Sequence, residues 1–448
     1  MGDARPTGTI SEIEAATIRR ISRRFMPLLL IAYSIAYLDR VNVGFAALTA
    51  NQDLGLSPTV YGWGAGIFFV GYFLFEFPSN IILERVGARR WIARIMVTWG
   101  LVAAGMALVR GPFSFSAVRF LLGLAEAGFF PGVLLYMTYW FPRRYRARYI
   151  GIFMVGSMIA PLIGSPISGL LLGLDGLLGV KGWQWLYIIE AAPAVILGVV
   201  VLVWLTDTPD QARWLTEAQR AWLQDALARE ASPRRQARRL GYFATLADAR
   251  VLFYALIFFS VTSPSYGLVL WLPQIVKGFG LSNAATGFVA AIPYVFGTIA
   301  MLLWGRRSDR RGERRWHAGL GAFLGAAGLG ACVLSASPVW QMAGISIAAA
   351  GIYGLKGPWL SMVTERFAGV EAAGGIAMVS ALGNLSGFLP PYLVGWIKDT
   401  TGNYGYGLLF LAVLSLLGGL QVLRSDGFER RMAGRSAAAE GAVRVGPA

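Results

Sequence analysis

The chain contains one short stretch twice: ERVGARRW at residues 84–91 and DRRGERRW at residues 309–316. Five of the eight aligned positions are identical, and a sixth exchanges one acidic side chain for another. The same spacing aligns Gly-Leu-Ser at 55–57 with Gly-Leu-Ser at 280–282. Because the spacing is about half of the chain, the sequence predicts two consecutive copies of one structural unit.

Long apolar blocks lie on both sides of these repeated stretches. With 56% hydrophobic and 14% charged residues and a mean hydropathy of +0.56, the chain is more apolar than a soluble globular protein. A helix needs roughly 20 apolar residues to cross a bilayer. The sequence therefore predicts an all-α membrane protein with twelve transmembrane helices in two pseudo-symmetric six-helix bundles. The predicted spans are residues 25–48, 60–82, 91–110, 113–138, 149–173, 183–205, 250–274, 284–304, 317–336, 339–363, 372–395 and 405–423.

The same pattern predicts the domain organisation. A short amphipathic helix is expected in the central loop, because Thr216 and Gln219 are spaced as a capping box. The predicted parts are a cytoplasmic N-terminal segment 1–24, an N-terminal bundle 25–205, a cytoplasmic loop 206–248, a C-terminal bundle 249–424 and a disordered cytoplasmic tail 425–448.

The basic residues predict the orientation. Apart from Arg40, Arg119 and Lys356, which we place inside spans, only Arg110, Lys181, Lys277 and Lys398 of the 40 Lys and Arg residues fall on one side of the membrane. All the others fall on the opposite side. By the positive-inside rule both termini face the cytoplasm, as expected for a cell inner-membrane protein. The net charge of +16 is then directed at anionic lipid and not at nucleic acid.

Cofactor and enzyme chemistry lack the residues that they require. The chain has one cysteine and one histidine, so neither a thiolate metal site nor a histidine-based nucleophile is available. We predict no metal, no cofactor and no enzymatic activity.

Among the ionisable residues inside predicted spans, where a charge costs about 2.5 kcal/mol or more, we single out five. They are Asp39, Arg40, Arg119, Glu126 and Lys356. One interpretation is that they form ion pairs that join helices. However, three cations against two carboxylates leave a positive charge that an anionic solute can neutralise. We therefore expect these residues to bind the solute and protons. The expected position of the site is the interface between the two repeats, near the middle of the membrane.

Two further acids and the repeated loops have structural alternatives. Glu76 and Glu190 lie near span ends and are interpreted as structural.

The repeated loops place carboxylates beside arginines at cytoplasmic span ends, where charge-assisted bonds can lock one state of a transporter. A plain basic loop is the alternative. The predicted gating residues are Glu84, Arg85, Arg89, Asp309, Arg310 and Arg314.

The loops resemble the signature Gly-x-x-x-Asp-Arg-x-Gly-x-Arg-Arg of the major facilitator superfamily. The second copy matches it fully from Gly305, whereas the first has Asn80 for the glycine and Glu84 for the aspartate. YLDRVNVGFAA at 37–47, FPSN at 77–80, VGARRWIAR at 86–94, RFLLG at 119–123 and EAGFFPG at 126–132 resemble the anion:cation symporter family within it, in the branch of tartrate, hydroxyphenylacetate and phthalate permeases.

This resemblance implies proton-coupled uptake of an organic carboxylate by alternating access. It implies that Asp39 and Glu126 bind protons and that Arg40 and Arg119 bind or support the substrate carboxylate. Tyr72 and Asn384 match positions that line the cavity. The expected partners are a small organic anion, protons and the lipid bilayer, with the protein acting as a monomer.

Two departures from the family pattern concern the substrate. Ser380 replaces an expected asparagine, and Lys356 replaces a neutral residue before Gly-Pro. An extra cation suggests a substrate with a second anionic group, such as an aromatic dicarboxylate, and makes tartrate itself less favoured; Ser380 and Lys356 are candidate binding residues. The alternatives are an organic-anion exchanger of the same fold and a non-transporting sensor. The short central loop argues against the sensor.

Overall fold

This computed structural model describes residues 11–231, 248–334, 336–367 and 372–444. The described chain consists of helices joined by short turns, and it contains no strand. Part of the predicted central loop, residues 232–247, lies outside the described residues.

Six spans precede the central loop, and two of them are broken in the middle. Arg143–Leu171 and Pro112–Trp140 each consist of two helices, whereas the others are continuous. The helices are α1 Glu12–Asp53, α2 Pro58–Val86, α3 Ala88–Gly105, α4 Pro112–Glu126, α5 Phe129–Trp140, α6 Arg143–Met154, α7 Gly156–Leu171 and α8 Gly182–Trp204.

The loop helix is followed by six further spans. The helices are α9 Glu217–Ala231, α10 Ala249–Lys277, α11 Asn283–Arg311, α12 Arg315–Ala331, α13 Pro338–Gly354, α14 Lys356–Arg366, α15 Ala372–Asn384, α16 Leu389–Thr401 and α17 Tyr404–Arg444. The pairs α13 with α14 and α15 with α16 each form one broken span. Nine helical stretches of the described chain are long and apolar enough to cross a membrane by length and composition alone. The other three predicted spans fall on α12 and on the two broken pairs.

Three local features refine the expectations. The capping box forms as predicted, because Thr216 N–H donates to Gln219 Oε1 at 3.2 Å and Gln219 N–H donates to Thr216 Oγ1 at 3.3 Å. α1 begins at Glu12, within the predicted N-terminal segment, and α17 continues to Arg444, through most of the tail predicted to be disordered. Helical continuation beyond a span needs no apolar residues, so hydropathy alone does not mark these ends.

The chain divides into two compact units. Unit 1 comprises Met1–Leu240 and Val269–Ala291, and unit 2 comprises Gly241–Leu268 and Ile292–Ala448. The C-terminal part of α10 and the N-terminal part of α11 thus belong to the first unit. The predicted domains are continuous stretches of the chain, whereas each of these units combines two separate stretches. The predicted domain boundaries therefore stay predictions.

Helix packing in unit 1 depends on glycine at one contact in particular. A Cβ atom on Gly123 of α4 would lie 2.0 Å from the carbonyl oxygen of Phe68 on α2. On the facing helix, a Cβ atom on Gly71 would lie 2.4 Å from the carbonyl oxygen of Phe120. Small residues allow two helix backbones to approach closely, as is common in membranes. This contact fixes α4, which carries Arg119 and Glu126, against α2.

The segment Val269–Ala291 packs on the rest of unit 1 through backbone contacts. Tyr61 on α2 donates its hydroxyl hydrogen to the carbonyl oxygen of Leu270 at 3.0 Å. A Cβ atom on Gly169 of α7 would lie 2.9 Å from the Cα atom of Gly287. The close approach leaves no room for a side chain at this crossing of α7 and α11.

Unit 2 has its own core. Apolar residues of α10, α12, α14, α15 and α17 form one cluster that includes Tyr254, Trp359 and Met378. This cluster packs α12, which begins at the end of the second repeated loop, against the other four helices.

Candidate transport residues

A buried ion pair joins Arg40 on α1 to Glu126 on α4. Arg40 Nε and Nη2 donate to the same carboxylate oxygen, Oε1, at 3.0 and 2.5 Å. The Glu126 side chain is 1% exposed, whereas that of Arg40 is 16% exposed. Glu126 Oε2 is buried and has no hydrogen-bond partner among the described residues. The guanidinium is therefore the accessible member of the pair.

A break in the helix places Glu126 at a helix end. Ala127 leaves the helical conformation with ψ 133°, and Gly128 has φ +88°, which is left-handed. A Cβ atom on Gly128 would lie 2.1 Å from Ser79 Oγ, so both its backbone conformation and its surroundings favour glycine. The next helix starts again at Phe129, and Glu126 is the last residue of α4.

Asp39 is adjacent to Arg40 in sequence but has different partners, as the 100° step between neighbouring helical residues predicts. It is 2% exposed. Asn42 Nδ2 donates to Asp39 Oδ1 at 3.2 Å, and Trp99 Nε1 donates to Oδ2 at 2.5 Å. Asp39 thus lies in the interior of unit 1, where it is held from α1 and α3.

Arg119 is almost completely buried. It is 1% exposed, and its Nη2 donates to the carbonyl oxygen of Ala65 at 3.0 Å. Its Nε and Nη1 atoms are buried without a hydrogen-bond partner among the described residues. Its Cζ atom lies 5.0 Å from the centre of the Phe68 ring, and Asp39 and Glu126 interact with it electrostatically. Arg119 is a positive charge in the interior, and Arg40 is the more accessible arginine.

Aromatic rings and a further acid surround Arg40. Its Cζ atom lies 5.2 Å from the centre of the Tyr72 ring and 5.5 Å from those of Tyr37 and Phe68. Glu76, for which the sequence predicts a structural role, interacts with Arg40 electrostatically. Tyr72, predicted to line the cavity, is 5% exposed and lies beside this guanidinium.

The sequence assigned Glu190 a structural role, and the structure gives it a more specific place. It is 3% exposed and accepts a hydrogen bond from Ser168 Oγ at 2.7 Å. It also interacts with Asp39. Because Glu76 and Glu190 join Asp39 and Glu126, the interior acids of unit 1 outnumber Arg40 and Arg119. The predicted excess of cations included Lys356, which belongs to unit 2, and it stays a prediction.

Three predicted binding residues belong to unit 2. Lys356 is the first residue of α14, directly after the break at Leu355, and its Nζ atom lies 4.3 Å from the centre of the Tyr353 ring. Ser380 and Asn384 are half-buried on α15. Asn384 Oδ1 accepts a hydrogen bond from the Tyr266 hydroxyl at 3.4 Å.

In the first repeated loop, Arg89 binds an acid that lies outside the repeated stretch. Arg89 N–H donates to Asp207 Oδ1 at 2.7 Å, and Arg89 Nε lies 3.6 Å from Asp207 Oδ2. Glu84 and Arg85 are exposed. The contact joins the start of α3 to the segment after α8.

The second repeated loop forms a larger network. Arg314 Nη1 lies 2.5 Å from Asp309 Oδ1, and its Nε lies 3.3 Å from Glu365 Oε1. Asp426 on α17 binds both Arg315 and Arg366. Arg310 is exposed. The predicted acid–arginine pairing therefore occurs in this copy, and it joins spans within unit 2. Asp207 and Asp426 were missed because they lie far from the repeated motif in sequence.

Comparison with known proteins identifies the family. A family model described as Major Facilitator Superfamily matches residues 29–389 and 265–441. A protein of Agrobacterium vitis named "Putative tartrate transporter" is 51% identical over 413 residues, which cover 92% of this chain and 92% of that protein. A "Quinolone resistance transporter" of Acinetobacter baumannii is 43% identical and covers 91% of this chain and 94% of its own.

The solved structures agree on the fold. The crystal structure of a D-xylose–proton symporter has a TM-score of 0.72 at 14% identity and covers 89% of this chain and 97% of that one. These similarities confirm the predicted resemblance, the predicted all-α fold with twelve spans and the expectation of a non-enzymatic protein. The chain belongs to the Major Facilitator Superfamily and is a multi-pass membrane transporter.

Proposed function

We propose that the protein takes up a small organic carboxylate together with protons by alternating access. The substrate class includes sugar acids, aromatic acids and dicarboxylates. The name of the 51% identical relative supports a tartrate-like carboxylate. The distribution of basic residues supports a position in the inner membrane with both termini in the cytoplasm.

The observation that carries this proposal is the contact between Arg40 and Glu126. An ionised Glu126 occupies two of the N–H donors that Arg40 would otherwise offer to a carboxylate of the substrate. Protonation makes Glu126 a weaker acceptor, because charge-assisted hydrogen bonds are roughly twice as strong as neutral ones. The guanidinium then binds the substrate carboxylate, so proton and anion bind together.

Release reverses this exchange. When Glu126 loses its proton to the cytoplasm, its carboxylate competes again for Arg40 and displaces the anion. The planar guanidinium suits this role because it binds either carboxylate through two N–H groups. The rings of Tyr72 and Phe68 lie beside Arg40 and limit its movement.

Asp39 and Arg119 form the second part of the proposed mechanism. Arg119 keeps a positive charge in the interior of unit 1 next to Asp39 and Glu126. While both acids are ionised, they compensate this charge and that of Arg40. Protonation of Asp39 removes part of the compensation and strengthens the attraction for an anion. Arg119 then supports the substrate by its field and not by direct contact.

An organic-anion exchanger is the alternative function. It would use the same arginines, but it has no need of acids that take up and release protons. The burial of Asp39 and Glu126 beside those arginines favours symport.

Uptake into proteoliposomes distinguishes the two. Radiolabelled sugar acids, aromatic acids and dicarboxylates are screened after the outside has been acidified, with a protonophore as the control. Symport predicts accumulation against the substrate gradient that the protonophore abolishes. Uptake that ignores the pH step and requires an anion inside would contradict symport and indicate exchange.

A further inference from the structure

The ring of Phe68 on α2 lies beside both arginines of the candidate site. Its centre lies 5.0 Å from the Cζ atom of Arg119 on α4 and 5.5 Å from the Cζ atom of Arg40 on α1. The face of an aromatic ring carries partial negative charge and attracts a cation, most strongly where water is excluded. Phe68 is 1% exposed, so this ring is buried in unit 1. Two cations from different helices thus contact one buried ring.

The surrounding backbone and rings restrict the position of Phe68. Its carbonyl oxygen lies at the close contact with Gly123 on α4, where a Cβ atom would come within 2.0 Å. Phe69 contacts the Phe68 ring edge-on, with the ring centres 5.0 Å apart, and the centre of the Tyr72 ring lies 6.0 Å away. Because these contacts restrict the ring, it can hold a guanidinium group in a defined place.

Arg119 is held by one face of α2. Its Nη2 atom donates to the carbonyl oxygen of Ala65 at 3.0 Å. Ala65 precedes Phe68 by three positions, so the carbonyl group and the ring lie on the same side of the helix. The Nε and Nη1 atoms of Arg119 are buried and have no hydrogen-bond partner among the described residues. The attraction of the Phe68 ring therefore compensates a charge that hydrogen bonds satisfy only in part.

Arg40 depends more on its surrounding rings once Glu126 is protonated. While Glu126 is ionised, its Oε1 atom binds the guanidinium at 3.0 and 2.5 Å. In the proposed mechanism protonation weakens this contact, and the charges of Arg40 and Arg119 then repel each other with less compensation. The Phe68 ring does not titrate, so its attraction for both cations persists when the acid is neutral.

We propose that Phe68 is a positioning residue for substrate binding: its ring holds the Arg40 guanidinium beside Arg119 while Glu126 is protonated and the substrate carboxylate binds. The ring attracts the positive charge as a whole, so the N–H groups of Arg40 remain available to an anion. This inference rests on the proposed function of Arg40 as the binding group. It adds a residue that acts on affinity through Arg40.

Fluorinated phenylalanines test the contact without any substrate. Each fluorine atom withdraws charge from the face of the ring and weakens its attraction for a cation, with little change in shape. Phenylalanine with one, two or three ring fluorine atoms is placed at position 68 of the full chain, and the melting temperature is measured in detergent. We expect a stepwise fall of about 1–3 °C in total.

Phe45 on α1 provides the matched control for this series. It is also 1% exposed, and it is not one of the rings that contact an arginine in the described part of the chain. The same fluorinated residues at position 45 should not lower the melting temperature. Equal changes at the two positions would overturn the proposed attraction between Phe68 and the arginines.

Substrate affinity tests the positioning role. The Kd of a transported carboxylate, measured by calorimetry at the pH of tightest binding, should rise with each fluorine atom at position 68, by about fivefold in total. The Phe45 series should leave the Kd unchanged. A constant Kd in the Phe68 series, together with a falling melting temperature, would overturn the positioning role, because a purely structural contact would then suffice.

A natural substitution extends the test. Phe68→Leu removes the ring and should raise the Kd by about tenfold, whereas wild-type affinity in this variant would contradict the proposal. If Phe68→Leu does not fold, the fluorinated series still decides. If the wild type binds no carboxylate, the proposed function fails, while the melting temperatures still show whether Phe68 attracts the arginines.

Discussion

Arg40 on α1 binds only one of the two carboxylate oxygens of Glu126 on α4. Its Nε and Nη2 atoms both donate to Glu126 Oε1, at 3.0 and 2.5 Å. The second oxygen, Oε2, has no hydrogen-bond partner among the described residues and so keeps a lone pair for a proton. Proton binding and the ion pair therefore involve different atoms of one carboxyl group. This arrangement allows protonation to weaken the pair without first breaking it.

Replacement of Arg40 by lysine should weaken substrate binding. Lysine keeps the charge but loses the two N–H groups in one plane that bind a carboxylate. We expect the KM for uptake in Arg40→Lys to rise by about tenfold or more, since a charge-assisted hydrogen bond contributes roughly 1.5–3 kcal/mol. Arg20→Lys on the exposed part of the same helix is the matched control. Equal KM values in the two variants would exclude Arg40 as the binding group.

Lys356 should distinguish substrates by their charge. In the sequence-based prediction it recognises a second anionic group, and its ammonium group lies beside the Tyr353 ring. Lys356→Met should then reduce uptake of a dicarboxylate much more than uptake of a monocarboxylate, and competition assays with both substrates measure the difference. Equal losses for the two would rule out this role.

The close contact of α2 and α4 predicts a strong effect of one methyl group. A Cβ atom on Gly123 would lie 2.0 Å from the Phe68 carbonyl oxygen, so Gly123→Ala forces the helices apart. We expect a loss of about 1–3 kcal/mol of stability, visible as a lower melting temperature in detergent. A Cβ atom on Gly151 of α6 would meet nothing within 4 Å, and Gly151→Ala should not lower the melting temperature. Similar melting temperatures for both variants would refute the close contact.

Glu313 predicts a pH-dependent stability of the second repeated loop. Burial alone would raise the pKa of Glu313, but hydrogen bonds from the Trp316 and His317 backbone N–H groups and from the His317 ring outweigh it and lower that pKa. Because the pKa of Glu313 is lower in the folded state, its charge stabilises the folded protein at pH values above the ordinary pKa of 4.5. This stabilisation is lost as the pH falls through the lowered pKa.

Melting curves measured at stepwise lower pH test this contribution. The wild type should lose stability relative to Glu313→Gln below about pH 4.5, because glutamine does not titrate. A constant difference between the two proteins at every pH would show that Glu313 does not contribute through its charge.

Much of the fold could be predicted from the sequence, for physical reasons. Span positions follow from apolar length, and the repeated loop predicts a duplicated unit. The prediction that Asp39 and Arg40 have separate partners follows from helical periodicity alone. The capping box at Thr216 and Gln219 is also local, and the structure confirms it.

Contacts between distant parts of the chain could not be predicted in this way. Arg40 and Glu126 are 86 residues apart in the sequence, and Arg89 and Asp207 are 118 residues apart. The sequence predicts a structural role for Glu190 from its place near a span end, and its proximity to Asp39 depends on the packing of α8 against α1. The nearly complete burial of Arg119 also depends on packing, since a span position does not say which side of a helix faces the interior.

Substrate affinity as a function of pH tests the central claim most directly. If Arg40 exchanges Glu126 for the anion when Glu126 takes up a proton, the wild-type Kd should rise by up to about tenfold per pH unit above the proton-binding range, for one proton taken up per anion. In Glu126→Gln the anion should still bind, with a pH slope lower by about one proton. An identical slope in both proteins would contradict the account, as would a wild-type Kd that does not change with pH.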